Sequence, residues 1–168
     1  GGCGGADGGG GGGERGGVVG GGAVAVGLGW GHENAARRGV AGVAAVVAGP
    51  AAAAGRGAPR FGRILVDAPC SHTGVMRRRV DLRWRLRPEE IPRLAATQRG
   101  ILDTMVPQLK TGGVLVYSTC SLEAAENREV IVAFLSGHPG FRLESERALL
   151  PFRDGVDGAY VARLLKTS

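Results

Sequence analysis

An α/β fold with a mostly parallel sheet and helices on both faces is the class this 168-residue sequence predicts. Three observations carry it. Two short apolar runs, Ile64-Leu65-Val66 and Val114-Leu115-Val116, consist of strand-forming residues and each ends in a polar tip. Between them Leu94, Gln98, Ile101, Leu102, Met105 and Leu109 recur at helical spacing. Strand, helix and strand in that order make a parallel pair joined by a crossover helix.

From the amino terminus, residues 1–31 hold 18 of the 32 glycines, too many for a regular helix because each costs backbone entropy. Residues 1–22 read as a glycine-rich low-complexity segment, with a loop at Gly8 to Gly13. A single catalytic domain is expected over 23–168. Ala23-Val24-Ala25-Val26 fits a buried strand, His32 to Arg38 a short helix ended by Gly39, and Val43 to Val47 another strand. A loose Ala/Gly/Pro loop follows through Pro59.

Composition sharpens after residue 60. Arg63 to Asp67 is a continuous apolar run and predicts a strand buried on both faces. Pro88-Glu89-Glu90 makes an acidic first turn with Pro88 at the first helical position, and Pro107 ends the helix. Gly112-Gly113 is expected to turn the chain into a strand over Val114–Ser118. A second helix is expected from Glu123 to Leu135, with Val130, Ile131, Phe134 and Leu135 on one face. Arg142–Glu146 and Ala159–Leu165 are the predicted closing strands.

The formal net charge is +6, carried almost wholly by arginine, since Lys110 and Lys166 are the only lysines. That balance favours a polyanionic partner, although a GC-rich coding sequence yields the same bias. Three cysteines with no C-x-x-C pair argue against a disulfide framework and for a reducing, cytoplasmic compartment. The longest uncharged stretch, Gly39 to Gly55, is broken by Pro50 and falls short of the ~20 apolar residues of a membrane span. The expected protein is a monomer with no membrane partner.

The chemistry lies at the strand tips. In an open α/β sheet the carboxyl ends of the strands face the ligand crevice. Cys70 and Cys120 each close a predicted strand, so both thiols are expected in one site beside Asp67. A thiolate adds to C6 of a pyrimidine and makes C5 a carbon nucleophile, a route that needs a cysteine, a carboxyl group and a methyl donor. The plainer reading of either thiol alone is a small buried hydrophobe. Cys70-x-His72 has no second ligand pair at zinc spacing, so no metal is expected. Met76 stands where a phosphatase loop needs arginine, and no Gly-Lys-Ser/Thr follows the glycines as in a P-loop.

Asp67-Ala-Pro-Cys70-Ser-His-Thr-Gly74, Gln98, Tyr117-Ser-Thr-Cys120-Ser-Leu-Glu-Ala-Ala-Glu126-Asn127 and Arg153-Asp-Gly-Val-Asp157-Gly158 together resemble the RNA (cytosine-5) methyltransferases. The resemblance is to the bacterial 16S ribosomal RNA type and its NOL/NOP/Sun relatives, and it is strong from about Phe61 to Leu165. It implies a Rossmann-like class I methyltransferase fold and S-adenosylmethionine as cofactor. It also implies Cys120 as nucleophile, Cys70 as the thiol that helps release the product, and Asp67 as the contact to the target cytosine. Cofactor contacts are implied at Cys3 and Gly8 of the amino-terminal loop, at Gly27 and Gly49, and at Asp67 and Pro69. The family carries acids where this chain has Gly27 and Gly49; its Pro-Gly-Gly-Lys-like loop is expected to correspond to the degenerate start, and the amino-terminal part is expected to lack the first strand.

Arg77-Arg78-Arg79 followed by Arg83-Trp84-Arg85 mixes phosphate-binding charge with a stacking ring, so RNA contact is expected here. The rival is a solvated loop whose Trp84 packs on the core. For Glu126 and Asn127, orienting the Cys120 loop and capping the next helix are both open. For the whole chain, two further readings stay open: an inactive RNA-binding remnant, and a DNA cytosine-5 methyltransferase in which Cys70 would be the nucleophile.

Overall fold

A computed structural model describes residues 61–168. The predicted strands at 23–26 and 43–47, the helix at 32–38, and the positions Cys3, Gly8, Gly27 and Gly49 lie outside the described residues.

Four strands form one sheet, β1 (Phe61–Asp67), β2 (Leu109–Thr119), β3 (Phe141–Leu149) and β4 (Ala159–Lys166), in the order β1-β2-β4-β3. β1 and β2 are parallel, with Asp67 opposite Ser118. β4 runs antiparallel to both β2 and β3, so this part of the sheet is mixed rather than mainly parallel. The two predicted closing strands form the antiparallel pair that ends it.

The helices are α1 (Leu82–Arg85), α2 (Glu90–Met105), α3 (Arg128–Gly137) and α4 (Pro151–Asp154). Ala95, Ile101, Leu102 and Met105 of α2 and Val130, Ile131 and Phe134 of α3 pack in one core with Ile64, Val66, Leu115, Tyr117, Ala162 and Leu164. Ile64 stands opposite Leu115 and Val66 opposite Tyr117, so these side chains share one sheet face. Among the described residues the long helices cover only that face. β1 is accordingly not buried on both sides: Ile64 and Val66 are 1% exposed while Leu65 between them is 39% exposed.

α2 begins at Glu90, two residues after Pro88, which lies in the turn before it. It stops at Met105, where Val106–Gln108 tightens into a 3-10 turn around Pro107, which lacks a backbone donor. Leu109 therefore falls in β2 and not in the helix. Gly112, at φ 76°, lets the strand bulge before Val114 resumes pairing with Arg63. The predicted second helix resolves into a 3-10 turn at Ala124–Glu126 and then α3.

Candidate active site

Because β1 and β2 are parallel, both finish on the same edge of the sheet, and their tips meet there. Sγ of Cys70 lies 3.4 Å from Sγ of Cys120. Nδ1 of His72 lies 2.7 Å from the Cys120 sulfur and 3.8 Å from that of Cys70. Cys70 is buried and Cys120 half-buried. Asp67, at the end of β1, is exposed and accepts a hydrogen bond from Ser118 Oγ at 3.1 Å. Asp67, Ser118, Thr119 and Cys120 line one side of an open cavity of about 770 Å³.

A buried polar cluster fixes these tips. Glu126, fully buried, accepts from the backbone N–H of Ser71 at 2.9 Å, the Ser121 hydroxyl at 2.6 Å, the Gln98 amide at 3.0 Å and the Ser71 hydroxyl. Its own backbone carbonyl accepts from the Tyr117 hydroxyl at 2.6 Å. Gln98 also donates to the Pro69 carbonyl at 2.9 Å. Both of its neighbours are acceptors, which fixes the amide orientation. Asn127 donates to the Ser121 carbonyl at 2.9 Å, and neither Glu126 nor Asn127 makes a side-chain cap on α3. These residues thus orient the Cys70 and Cys120 loops. One hint of this lies in the helical stripe, where Gln98 is a polar residue at an apolar position.

A third loop joins them. Gly74 donates to the Cys120 carbonyl at 2.9 Å and accepts from Gly158 at 2.8 Å. A Cβ on Gly74 would meet the Gly158 carbonyl oxygen at 2.4 Å, so only glycine permits the approach.

His72 was not among the expected site residues. It is the one non-glycine among the described residues with positive φ, at φ 60° and ψ 22°. That backbone costs about 1–2 kcal/mol for a residue bearing a Cβ. Histidine is among the non-glycine residues found most often in this region, so the residue type permits the turn without demanding it.

The two thiols ionise very differently. The hydrogen bond from Cys70, and then His72, lower Cys120 to about 6, against the opposing effects of burial and of Asp67. Cys70 is pushed far up, first by its hydrogen bond with Cys120 and then by burial. Burial, with the charges of Cys70 and Glu126, also raises Tyr117. The pair thus divides into one sulfur that readily carries charge and one that keeps its proton. The three ligand-type atoms of Cys70, His72 and Cys120 lie within 4.8 Å of one another. Two donors on one tetrahedral zinc ion sit about 3.5 Å apart, whereas Nδ1 and the Cys120 sulfur are 2.7 Å apart, in direct contact and too close to share one.

The arginine-rich stretch lies on the surface. Trp84 is 90% exposed and does not pack on the core. Arg77 and Arg78 both pair with Asp157, at 3.2 and 2.6 Å, and Arg79 and Arg85 flank Asp81 at 3.6 Å. Arg83 is exposed.

A family model described as 16S rRNA methyltransferase RsmB/F matches residues 32–165. The chain belongs to that family. It is 49% identical over 113 residues to the ribosomal RNA small subunit methyltransferase B of Vibrio cholerae serotype O1, an alignment covering 64% of this chain and 26% of that protein. The chain spans about a quarter of the length of the curated relatives it matches. Among solved structures, PH0851 superposes with a TM-score of 0.77 at 25% identity, over 90% of this chain and 43% of that one. NSun6 from Pyrococcus horikoshii, crystallised with SFG, an analogue of S-adenosylmethionine, gives a TM-score of 0.72 at 24% identity, over 92% and 49%. The family's fold is Rossmann-like, and the mixed sheet and its helices are the described portion of it. Among the described residues no helix is long and apolar enough to cross a membrane.

Proposed function

We propose that this chain carries the reaction centre for methylating C5 of a cytosine in 16S ribosomal RNA, through a covalent bond between Cys120 and C6 of the base. The observation that supports it above all is the 3.4 Å approach of two sulfurs with opposite ionisation at the ends of parallel strands. Ribosomal RNA as substrate follows from the family and makes the cytoplasm the expected compartment.

The Cys120 thiolate attacks C6, and the electron pair displaced from the C5–C6 double bond moves through C4 to N3; with the base bound, Asp67 as the protonated carboxyl gives its hydrogen to N3 and is left a carboxylate. The cavity beside Asp67 and Cys120 has room for a base drawn out of its stack. S-adenosylmethionine, when bound, supplies an electrophilic methyl group. Asp67 is the described residue suited to hold it, because its exposed carboxylate complements a cationic ligand. Pro69, the other described candidate, has its carbonyl engaged by Gln98.

Cys70 then assists release. Its thiol is hard to ionise chiefly because it is hydrogen-bonded to Cys120. Once the Cys120 sulfur is bonded to carbon, that cause disappears and Cys70 gives up its own proton to solvent more readily. The Cys70 thiolate, formed only after the adduct exists, takes the C5 proton, and the electron pair left behind restores the C5–C6 double bond and expels Cys120 as thiolate.

The exposed Arg79, Arg83, Trp84 and Arg85 are the residues best placed to hold the opened RNA, by phosphate pairing and stacking. Arg77 and Arg78 would share any phosphate contact with Asp157.

The test is adduct trapping with 16S ribosomal RNA and S-adenosylmethionine, read on denaturing gels. Cys70→Ala should accumulate a covalent RNA–protein species, and Cys120→Ala should form none. Loss of adducts on Cys70→Ala would reverse the roles, as in the DNA-type reading. Their absence in every variant would favour an RNA-binding remnant.

A further inference from the structure

We propose that His72 is a catalytic residue of this site, the proton acceptor that converts the Cys120 thiol into the attacking thiolate. The inference rests on Cys120 being the nucleophile, and it adds a role that neither the motif pattern nor the family assignment gives to position 72.

An activated cysteine needs somewhere to send its proton. The groups around Cys120 are Asp67 from the end of β1, Cys70 and His72 from the loop that follows, Arg147 of β3, Asp154 of α4 and Tyr160 of β4 on the shared cavity, and the buried Glu126 and Tyr117 of the cluster that holds its loop. Arg147 is a cation and accepts no proton, Asp154 is paired with Arg153, and the Tyr160 hydroxyl donates to Glu146. Cys70 stabilises a neighbouring thiolate but is itself held protonated, so it accepts nothing in the resting site. Both carboxylate oxygens of Glu126 are occupied by donors from Ser71, Ser121 and Gln98. Asp67 opposes the thiolate rather than supporting it. Tyr117 is fully buried and its hydroxyl donates to the Glu126 carbonyl. His72 remains, with Nδ1 2.7 Å from the sulfur.

The backbone supports the same conclusion. His72 holds a left-handed conformation that L side chains rarely adopt, and its carbonyl accepts from Val75 at 3.0 Å to start the 3-10 turn at Thr73–Val75. The turn brings the ring to a sulfur 48 residues away. Strained backbone of this kind is found at functional sites, where the surrounding structure enforces it. In the step itself the S–H bond of Cys120 breaks, its electron pair stays on sulfur, and the proton bonds to Nδ1 of His72. The product is a thiolate beside an imidazolium. When elimination later returns Cys120 as a thiolate, the pair is restored without a further proton transfer.

The experiment measures alkylation of Cys120 by iodoacetamide as a function of pH in the full chain, resolved by mass spectrometry of the Cys120 peptide. His72→Asn suits the left-handed backbone but offers no basic nitrogen, and His72→Gly relieves the strain and vacates the ring's space. Both should move the inflection upward by about 1 pH unit or more, a tenfold or greater loss of thiolate on the acid side. Free imidazole should restore the alkylation rate of His72→Gly, which a purely structural role would not allow. An unmoved inflection in both folded variants, or no response to imidazole, overturns the proposal. The assay needs neither RNA nor cofactor. A wild-type chain that shows the shifted titration, while its Cys70→Ala variant never forms an RNA adduct, refutes the methylation reading and leaves the proton transfer standing. Adduct formation with an unmoved inflection refutes the role of His72 alone.

Discussion

The sulfur of Cys70 sits 3.4 Å from that of Cys120, although fifty residues separate them in the chain. Their proximity makes each thiol part of the other's environment, so replacing one changes the chemistry of its neighbour.

Cys70→Ala should therefore raise the pH at which Cys120 becomes a thiolate. The wild-type inflection is expected near pH 6, and the Cys70 hydrogen bond is the largest influence lowering it. Removing a donor that stabilises the charged form moves the inflection up, so alkylation of Cys120 at pH 6 should slow several-fold. An unchanged or faster rate would show that Cys70 does not support the thiolate.

Glu126→Ala should destabilise the chain by about 3 kcal/mol, because the Ser71 N–H, the Gln98 amide and the Ser71 and Ser121 hydroxyls lose a buried acceptor. Urea denaturation reads this as a lower midpoint at unchanged slope. Glu126→Gln keeps a carbonyl acceptor and should lose less. Equal losses would place the effect in packing rather than hydrogen bonding.

Gly74→Ala brings a methyl group against backbone atoms of Gly158 and Cys120 that no rotamer change relieves. A cost of about 1–3 kcal/mol is expected, with a fall in RNA adduct formation as the loops separate. Gly62, whose added Cβ would meet nothing within 4 Å, is the control.

Trp84→Ala should leave the unfolding midpoint unchanged, since the indole is almost wholly exposed. Its RNA affinity should fall about tenfold if the ring stacks on a base, as such contacts contribute about 1–3 kcal/mol. Equal RNA binding by the variant and the wild type would remove Trp84 from the interface.

The order of strand, helix and strand was legible because hydrophobic period is local, and so was the placing of both cysteines at strand ends. Parallel pairing does the rest, bringing those ends to one edge. Less was legible where partners come from far along the chain. Ile64-Leu65-Val66 reads as doubly buried, yet which face is covered depends on where α2 and α3 pack. Leu109 continues the helical stripe by spacing, but Pro107 had already ended the helix and released it into β2. Glu126 looked equally like a helix cap, and only the approach of Ser71 and Gln98 makes it the anchor of the site. The turn at His72 was hidden because no residue type there demands it.

Asp67 faces Ser118 across the parallel pair. A slip of one position would carry Asp67 along by roughly 3.3 Å and turn its side chain to the opposite surface, drawing the Cys70 loop out of line with Cys120. Any insertion or deletion within β1 would therefore silence the nucleophile without touching it. The yield of an oxidative cross-link between the two sulfurs would then serve as a chemical gauge of strand alignment.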